Sequence, residues 1–257
     1  RSDDKQQIAV CCGVHLTKRK ILILNENLHS LLELDLESGE RTTLLSVDPG
    51  YISAFYVGDD DNILIVRTEQ EKIEDDESYA EYDSDKFYNK TIVELQYYFR
   101  KNNKSVYYQI KNVLECLEVI YSEKDKQLSL FIKADEGIVL VLLELLEYFD
   151  SDIEQPVRKI GNYVLPLEME YWSKIERNTF MVTRLNEEEY IFSDCKIFKW
   201  NIGKWNIREG KIQSVCYLEE ISKYKEFYAV CSDVSHKNII FLKGDEKLYV
   251  TGLKEVH

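Results

Sequence analysis

The chain has 257 residues, with 33 Lys+Arg against 47 Asp+Glu and a formal net charge of -14; 44% of it is apolar and 12% aromatic. That apolar content excludes wholesale disorder, and the acidity argues against a nucleic-acid surface, which needs clustered Lys and Arg. The longest uncharged apolar run, 137–143, stops at Glu144, far short of the roughly 20 residues of a membrane-crossing helix.

In chain order, runs rich in Val, Ile, Tyr and Phe fall at 8–14, 20–24, 51–57, 62–68, 91–99, 104–110, 127–132, 180–184, 227–231 and 238–242. Each fits β-strand chemistry, because branched and aromatic side chains pack well on a pleated surface. Short polar breaks separate them, among them Gly58-Asp59-Asp60-Asp61, Lys101-Asn102-Asn103, Asn186-Glu187-Glu188 and Gly244-Asp245-Glu246. Such residues accept turn dihedrals or hydrogen-bond their own backbone, so the pattern reads as antiparallel hairpins. Two Leu-rich segments, 28–36 and 138–149, fit either a short helix or a strand, since periodicity alone does not decide a short apolar run. The turn residues Asp135-Glu136-Gly137 ahead of the second favour a hairpin.

The strands group. Units open near Ile8, Tyr51, Val113, Tyr163 and Val215, a spacing of roughly 40–50 residues once an insertion at 69–85 is set aside. Units of that size holding four short strands predict an all-β fold, a β-propeller of about five four-stranded blades or most of a larger one. A β-sandwich or barrel is the alternative. The whole of 1–257 reads as one such domain, its ring clasped by pairing the strand near Ile8 with the last unit near Lys247 to Thr251.

Leu34-Asp35-Leu36-Glu37-Ser38-Gly39-Glu40 and Trp205-Asn206-Ile207-Arg208-Glu209-Gly210-Lys211 align residue for residue. In each, an apolar strand closes on an Asp or Asn and a tight turn follows, with Gly in the positive-φ position. This form resembles the end of a WD-repeat blade, and the chain is similar in that respect to divergent WD-repeat-like β-propellers. The resemblance covers two of the five units. The Gly-His pair that opens many WD repeats is absent, and Asp150-Ser151-Asp152 is a decayed version of the motif. It implies a propeller whose rigid faces hold protein partners.

The insertion at 69–85 holds nine acidic residues and one Lys, more than half of the net charge. Such a run cannot bury itself and reads as a solvated loop within the second unit. Its candidate regulatory residues are Glu74, Asp75, Asp76, Glu77, Ser78 and Glu81, with Ser78 placed as an acid-directed kinase prefers. The tract would favour a protein partner with a basic surface. A second candidate set is aromatic and basic: Tyr97, Tyr98, Arg100, Lys101 and Tyr107 about one turn, with Trp172 and Trp205 elsewhere. Strand side chains alternate, so these aromatics, with Phe99 and Tyr108, cannot all face one way. Some pack between sheets, and others stand exposed as anchors.

No catalytic signature emerges. His15, His29, His236 and His257 are scattered without ligand spacing, Asp59 to Asp61 lack the pattern of a calcium loop, and no Gly-rich loop leads a helix to hold a phosphate. No cofactor or metal is expected. The six cysteines, Cys11, Cys12, Cys116, Cys195, Cys216 and Cys231, lie in strand-like segments with no CxxC pair. That points to buried thiols in an intracellular protein. The expected function is a non-enzymatic protein-interaction module, a scaffold subunit of a larger complex. The alternative is a substrate receptor of a ubiquitin-ligase or modification complex, using a basic pocket drawn from Arg67, Arg100, Arg158, Arg177, Arg184 and Arg208. A propeller enzyme is the third reading.

Overall fold

The computed structural model describes residues 13–16, 19–25, 29–47, 51–57, 62–70, 90–122, 124–145, 157–177, 180–194, 201–217, 227–232, 238–243 and 248–252. Among these described residues, nineteen strands form five antiparallel sheets, each a simple meander in chain order. Sheet 1 comprises β1 (Gly13–Leu16), β2 (Lys20–Asn25), β3 (Ser30–Asp35) and β4 (Arg41–Ser46). Sheet 2 holds β5 (Tyr51–Val57), β6 (Ile63–Gln70), β7 (Thr91–Phe99) and β8 (Lys104–Val113). Sheet 3 holds β9 (Glu115–Ser122), β10 (Gln127–Ala134), β11 (Gly137–Leu145) and β12 (Val157–Val164). Sheet 4 follows with β13 (Phe180–Arg184), β14 (Glu189–Asp194), β15 (Asn201–Asn206) and β16 (Lys211–Tyr217). The fifth sheet has three described strands, β17 (Phe227–Ser232), β18 (Asn238–Lys243) and β19 (Leu248–Gly252). One helical turn, α1 (Met169–Trp172), lies between β12 and β13.

Both ambiguous Leu-rich segments are strands, β3 and β11. The unit boundaries move from those expected. Tyr163 belongs to β12, the last strand of sheet 3, and Val215 to β16, the last of sheet 4; those sheets are followed by new ones opening at Phe180 and Phe227. Both residues lie in true strands, whose composition marks a strand but not its place in the sheet. Glu69 and Gln70 complete β6, so the insertion begins later than expected. Its remainder, with Glu74, Asp75, Asp76, Glu77, Ser78 and Glu81, lies outside the described residues. So do Ile8, Asp59 to Asp61, Asp150 to Asp152 and Trp200.

The chain divides into two compact units, one of residues 1–113 with 146–158, the other of residues 114–145 with 159–257. In the first, β1 lies beside β5; in the second, β13 lies beside both β9 and β17. The first strand of each sheet thus faces the first strand of the next within its unit. Leu22, Leu24 and Leu31 of sheet 1 pack with Ile63, Ile65 and Tyr98 of sheet 2 to make the first unit's core. The second core joins sheets 3 and 4 through Phe131, Leu140, Phe180, Tyr190, Phe192 and Trp205, with Trp172 and Ile175 closing it from the α1 connection.

The two aligned turns share one construction. Asp35 Oδ1 accepts from the backbone N–H groups of Glu37 (2.9 Å) and Ser38 (2.8 Å), and Asn206 Oδ1 accepts from those of Arg208 and Glu209, both at 3.0 Å. Gly39 at φ +71° and Gly210 at φ +63° then donate to the carbonyls of Asp35 and Asn206. A side-chain acceptor fixes each turn, and Gly supplies the left-handed residue at little steric cost. The backbone N–H groups on the Asp35 carboxyl, those of Ser38 and Glu37, hold its pKa below the ordinary carboxylate value.

Candidate functional site

Sheet 2 presents the expected aromatic and basic set on β7, β8 and the 3-10 turn Arg100–Asn102 between them. Alternation separates its members. Tyr98 and Phe99 are buried, and the Tyr98 hydroxyl donates to Asn103 Oδ1 at 2.9 Å. Tyr97 is half-buried with its ring edge-on to Phe99, centroids 4.6 Å apart; Tyr108 is also half-buried. Tyr107 is exposed on the outer strand, and Gln96 Nε2 donates to its hydroxyl at 3.1 Å, fixing the ring's tip. Lys101 is exposed. Arg100 reaches Glu33 of β3, which also accepts from Lys20 Nζ at 2.7 Å. Burial raises the Glu33 carboxyl, but the hydrogen bonds and charges of Lys20 and Arg100 outweigh it, and the pKa lies below the ordinary value.

One face of sheet 2 passes from apolar to ionic along its length. The registers set Ile63 opposite Tyr98, Ile65 opposite Gln96, and Arg67 opposite Glu94. Arg67 and Glu94 are both buried. Arg67 donates to Glu94 Oε1 through Nε (2.8 Å) and Nη2 (2.5 Å), while Gln109 donates to Glu94 Oε2 at 2.6 Å. Arg67 Nη1 also lies 3.3 Å from Glu69 Oε2. This pair ties together β6 and β7, the strands between which the acidic insertion leaves and returns. Arg184 pairs with Asp125 at 3.0 Å and Arg208 with Glu188 at 2.6 Å. Arg67, Arg100, Arg184 and Arg208 are therefore each held by their own carboxylates.

In the second unit, Trp205 is wholly buried against Phe131 and Tyr190. Trp172 is buried too, beside Gly137. The exposed side chains lie along the chain on either side of the Trp172 turn's start rather than at either tryptophan. Six large apolar side chains are exposed among the described residues, and four of them, Ile160, Val164, Met169 and Tyr171, fall on β12 and α1. Sequence reading missed these four, because it sought aromatics and found Trp172 in place of the side chains around it. The available signal was the alternation Arg158, Ile160, Asn162, Val164 against Tyr163, which packs on the core.

The segment that displays them is moored from behind. Lys133 Nζ donates to the carbonyls of Ser173 (2.7 Å) and Ile175 (3.1 Å), and the Arg177 N–H donates to Glu115 Oε1 at 3.1 Å. Ile175 and Trp172 are buried beneath. Nearby on β9, burial pushes the Glu118 carboxyl above its ordinary pKa, against the N–H of Val119 and the charge of Arg177. No cluster of His, Cys, Asp and Glu able to hold a metal ion occurs among the described residues. No described helix is long and apolar enough to cross a membrane. Cys116 is buried on β9.

No protein-family model matches the chain, and no curated protein matches it in sequence. Solved structures do match. Hydrazine synthase of Kuenenia stuttgartiensis is similar at TM-score 0.56 and 8% identity, over 96% of this chain and 72% of that one. Virginiamycin B lyase of Staphylococcus aureus is similar at TM-score 0.50 and 10% identity, over 96% and 71%. A third similar structure is a 6-phosphogluconolactonase-like protein of Bacteroides fragilis, at TM-score 0.52 and 8% identity, over 95% and 66%. Small four-stranded meanders whose first strands lie side by side, together with these likenesses, define the fold as a β-propeller. At such identities the likeness carries the fold alone.

Proposed function

We propose that this protein is a non-enzymatic interaction module, a divergent WD-like propeller that holds a protein partner within an intracellular assembly. The observation that supports this reading is the gathering of Ile160, Val164, Met169 and Tyr171 on one outer strand and the turn beside it. Exposed apolar side chains scattered singly need no explanation, whereas four of the six exposed ones among the described residues falling within the twelve residues 160–171 suit a contact surface. The mooring by Lys133 and Glu115 gives that surface a fixed form before binding, which lowers the ordering cost of association. On the first unit, Tyr107 with its tethered hydroxyl and Lys101 offer a further contact of the same kind. The acidic insertion adds long-range attraction for basic groups on the partner.

The test compares affinity capture by the full chain with capture by the double variant Met169→Ala/Tyr171→Ala, read by quantitative mass spectrometry. Both side chains are exposed, so the variant should fold normally. A partner retained by the native chain and lost by the variant supports the reading. Partners held equally by both would overturn the assignment of this surface.

A further inference from the structure

The outer strands of the four complete sheets differ in what they show to solvent. On β4 the exposed residues are Arg41, Thr42, Thr43 and Ser46; on β8 they are Lys104, Tyr107, Gln109, Lys111 and Asn112, mostly polar with one aromatic ring among them; on β16, where exposure is described for 211–213, they are Lys211 and Gln213. Charged and polar side chains of that kind keep an edge from pairing with another chain. β12 departs from the pattern. It is the last strand of its sheet, with no described strand beyond it, and its outward row is Arg158, Ile160, Asn162 and Val164, all exposed. Gly161 lies between, overlaid by the ring of Tyr163 from the other face. Met169 and Tyr171, also exposed, follow on the α1 turn.

Charge runs along this edge with a direction. Arg158 and Lys159, both exposed, stand at its start, and Glu168 and Glu170, also exposed, stand beyond its end. Lys174 answers Glu170 only at 3.8 Å, between side chains that are mostly solvated, and such a contact is weak.

We infer that β12 accepts an added strand from the partner protein: an extended segment with an acidic residue at the Arg158 end, aliphatic residues at alternate positions facing Ile160 and Val164, and a basic residue near Glu168 and Glu170. The inference rests on the reading of this surface as a protein contact and specifies its occupant. Backbone N–H and C=O groups of β12 supply affinity, and the outward row supplies selection, as in other edge-strand recognition. The occupant's side chains on that row sit directly across from Ile160 and Val164, within reach of cross-strand packing.

The probe is a capped peptide, Glu-Thr-Ile-Thr-Thr-Thr-Val-Lys, used together with its reversed sequence so that the parallel and antiparallel directions are both offered. The full chain is titrated with each by calorimetry, and amide hydrogen exchange is followed in the complex. Saturable binding of one peptide with slowed exchange across 159–164 is expected. Proline at one of the two central Thr positions should weaken binding about tenfold by removing a ladder N–H. Ile160→Glu should abolish it, and Arg158→Glu should shift preference to the peptide with Glu and Lys exchanged. Failure of both peptides to bind, full binding of every proline peptide, or slowed exchange elsewhere would overturn strand addition. If the capture experiment still shows a partner dependent on Met169 and Tyr171, the interaction module survives that outcome, and only its mode of docking falls.

Discussion

The central strands of sheets 2 and 3 solve burial in different ways. In sheet 3, β10 and β11 bury Leu128, Leu130, Phe131, Ile132 and the whole run Ile138 to Leu143, with Ser129 as the buried polar exception, its hydroxyl 2.9 Å from that of Tyr190. In sheet 2, β6 and β7 bury Arg67, Glu94 and Gln96 among their aliphatic neighbours. The first arrangement gains from removing apolar surface from water and tolerates loss in proportion to the cavity left. The second depends on mutual satisfaction, since each ion is costly to bury without the other. The lesson is that similar meanders can fail for opposite reasons: one when it is emptied, the other when it is left half-paired.

The largest expected effect comes from emptying the apolar side. Phe131→Ala removes the ring that touches Phe180, Tyr190 and Trp205, and should cost about 4 kcal/mol in urea unfolding followed by circular dichroism. Half-pairing the ionic side follows closely. Glu94→Ala removes the carboxylate that takes both Nε and Nη2 of the buried Arg67 guanidinium, for a loss of about 3 kcal/mol. The double variant Arg67→Met/Glu94→Leu should recover most of that loss. If it is as unstable as the single variant, the pair is not the cause and the contrast between the sheets collapses.

A smaller effect should be equal on the two sides. Gly39→Ala and Gly210→Ala each place a Cβ at positive φ with nothing within 4 Å of it. Each should therefore cost about 1 kcal/mol from backbone strain alone. Unequal losses would show that the two turns are not the same device.

Acidity should separate the units with the least drama. Glu33 and Asp35 in the first unit have lowered pKa values, so their contributions are present above the ordinary carboxylate range and fade as pH falls through it. Glu118 in the second unit has a raised pKa. Its contribution is complete below that range and is lost as pH rises through the raised value. Mild acidification from neutrality should thus favour the second unit before stronger acid weakens the first. Glu118→Gln should flatten the first part of that profile, and Glu33→Gln the second, in unfolding measured across pH.

Much of the fold was legible in the residues. The aromatic and β-branched runs at 91–99 and 180–184 coincide with β7 and β13, and those at 51–57 and 20–24 match β5 and β2 to within a residue. The strands that escaped include β9, β14, β15 and β16 as well as two outer strands of mixed exposure. β4 reads Arg-Thr-Thr-Leu-Leu-Ser and β12 reads Val-Arg-Lys-Ile-Gly-Asn-Tyr-Val. Polar residues such as Arg41, Thr42 and Thr43, or Arg158, Lys159 and Asn162, break up the apolar run by which a strand is recognised. The turns at Gly39 and Gly210 were legible because their chemistry is local. The apolar surface on β12 and α1 was legible only in part: the alternation along 158–164 was there to read, but which of its two rows faces solvent is decided by packing.

All three tryptophans of the chain, Trp172, Trp200 and Trp205, belong to the second unit. Intrinsic indole fluorescence therefore reports on that unit alone, while the first contributes only tyrosine emission. Trp205, wholly enclosed among Phe131 and Tyr190, should emit toward the blue and shift red only when its own sheets open. A melt recorded by tryptophan emission beside one recorded by total ellipticity would reveal, without any label, whether the two halves of the molecule come apart together or in turn.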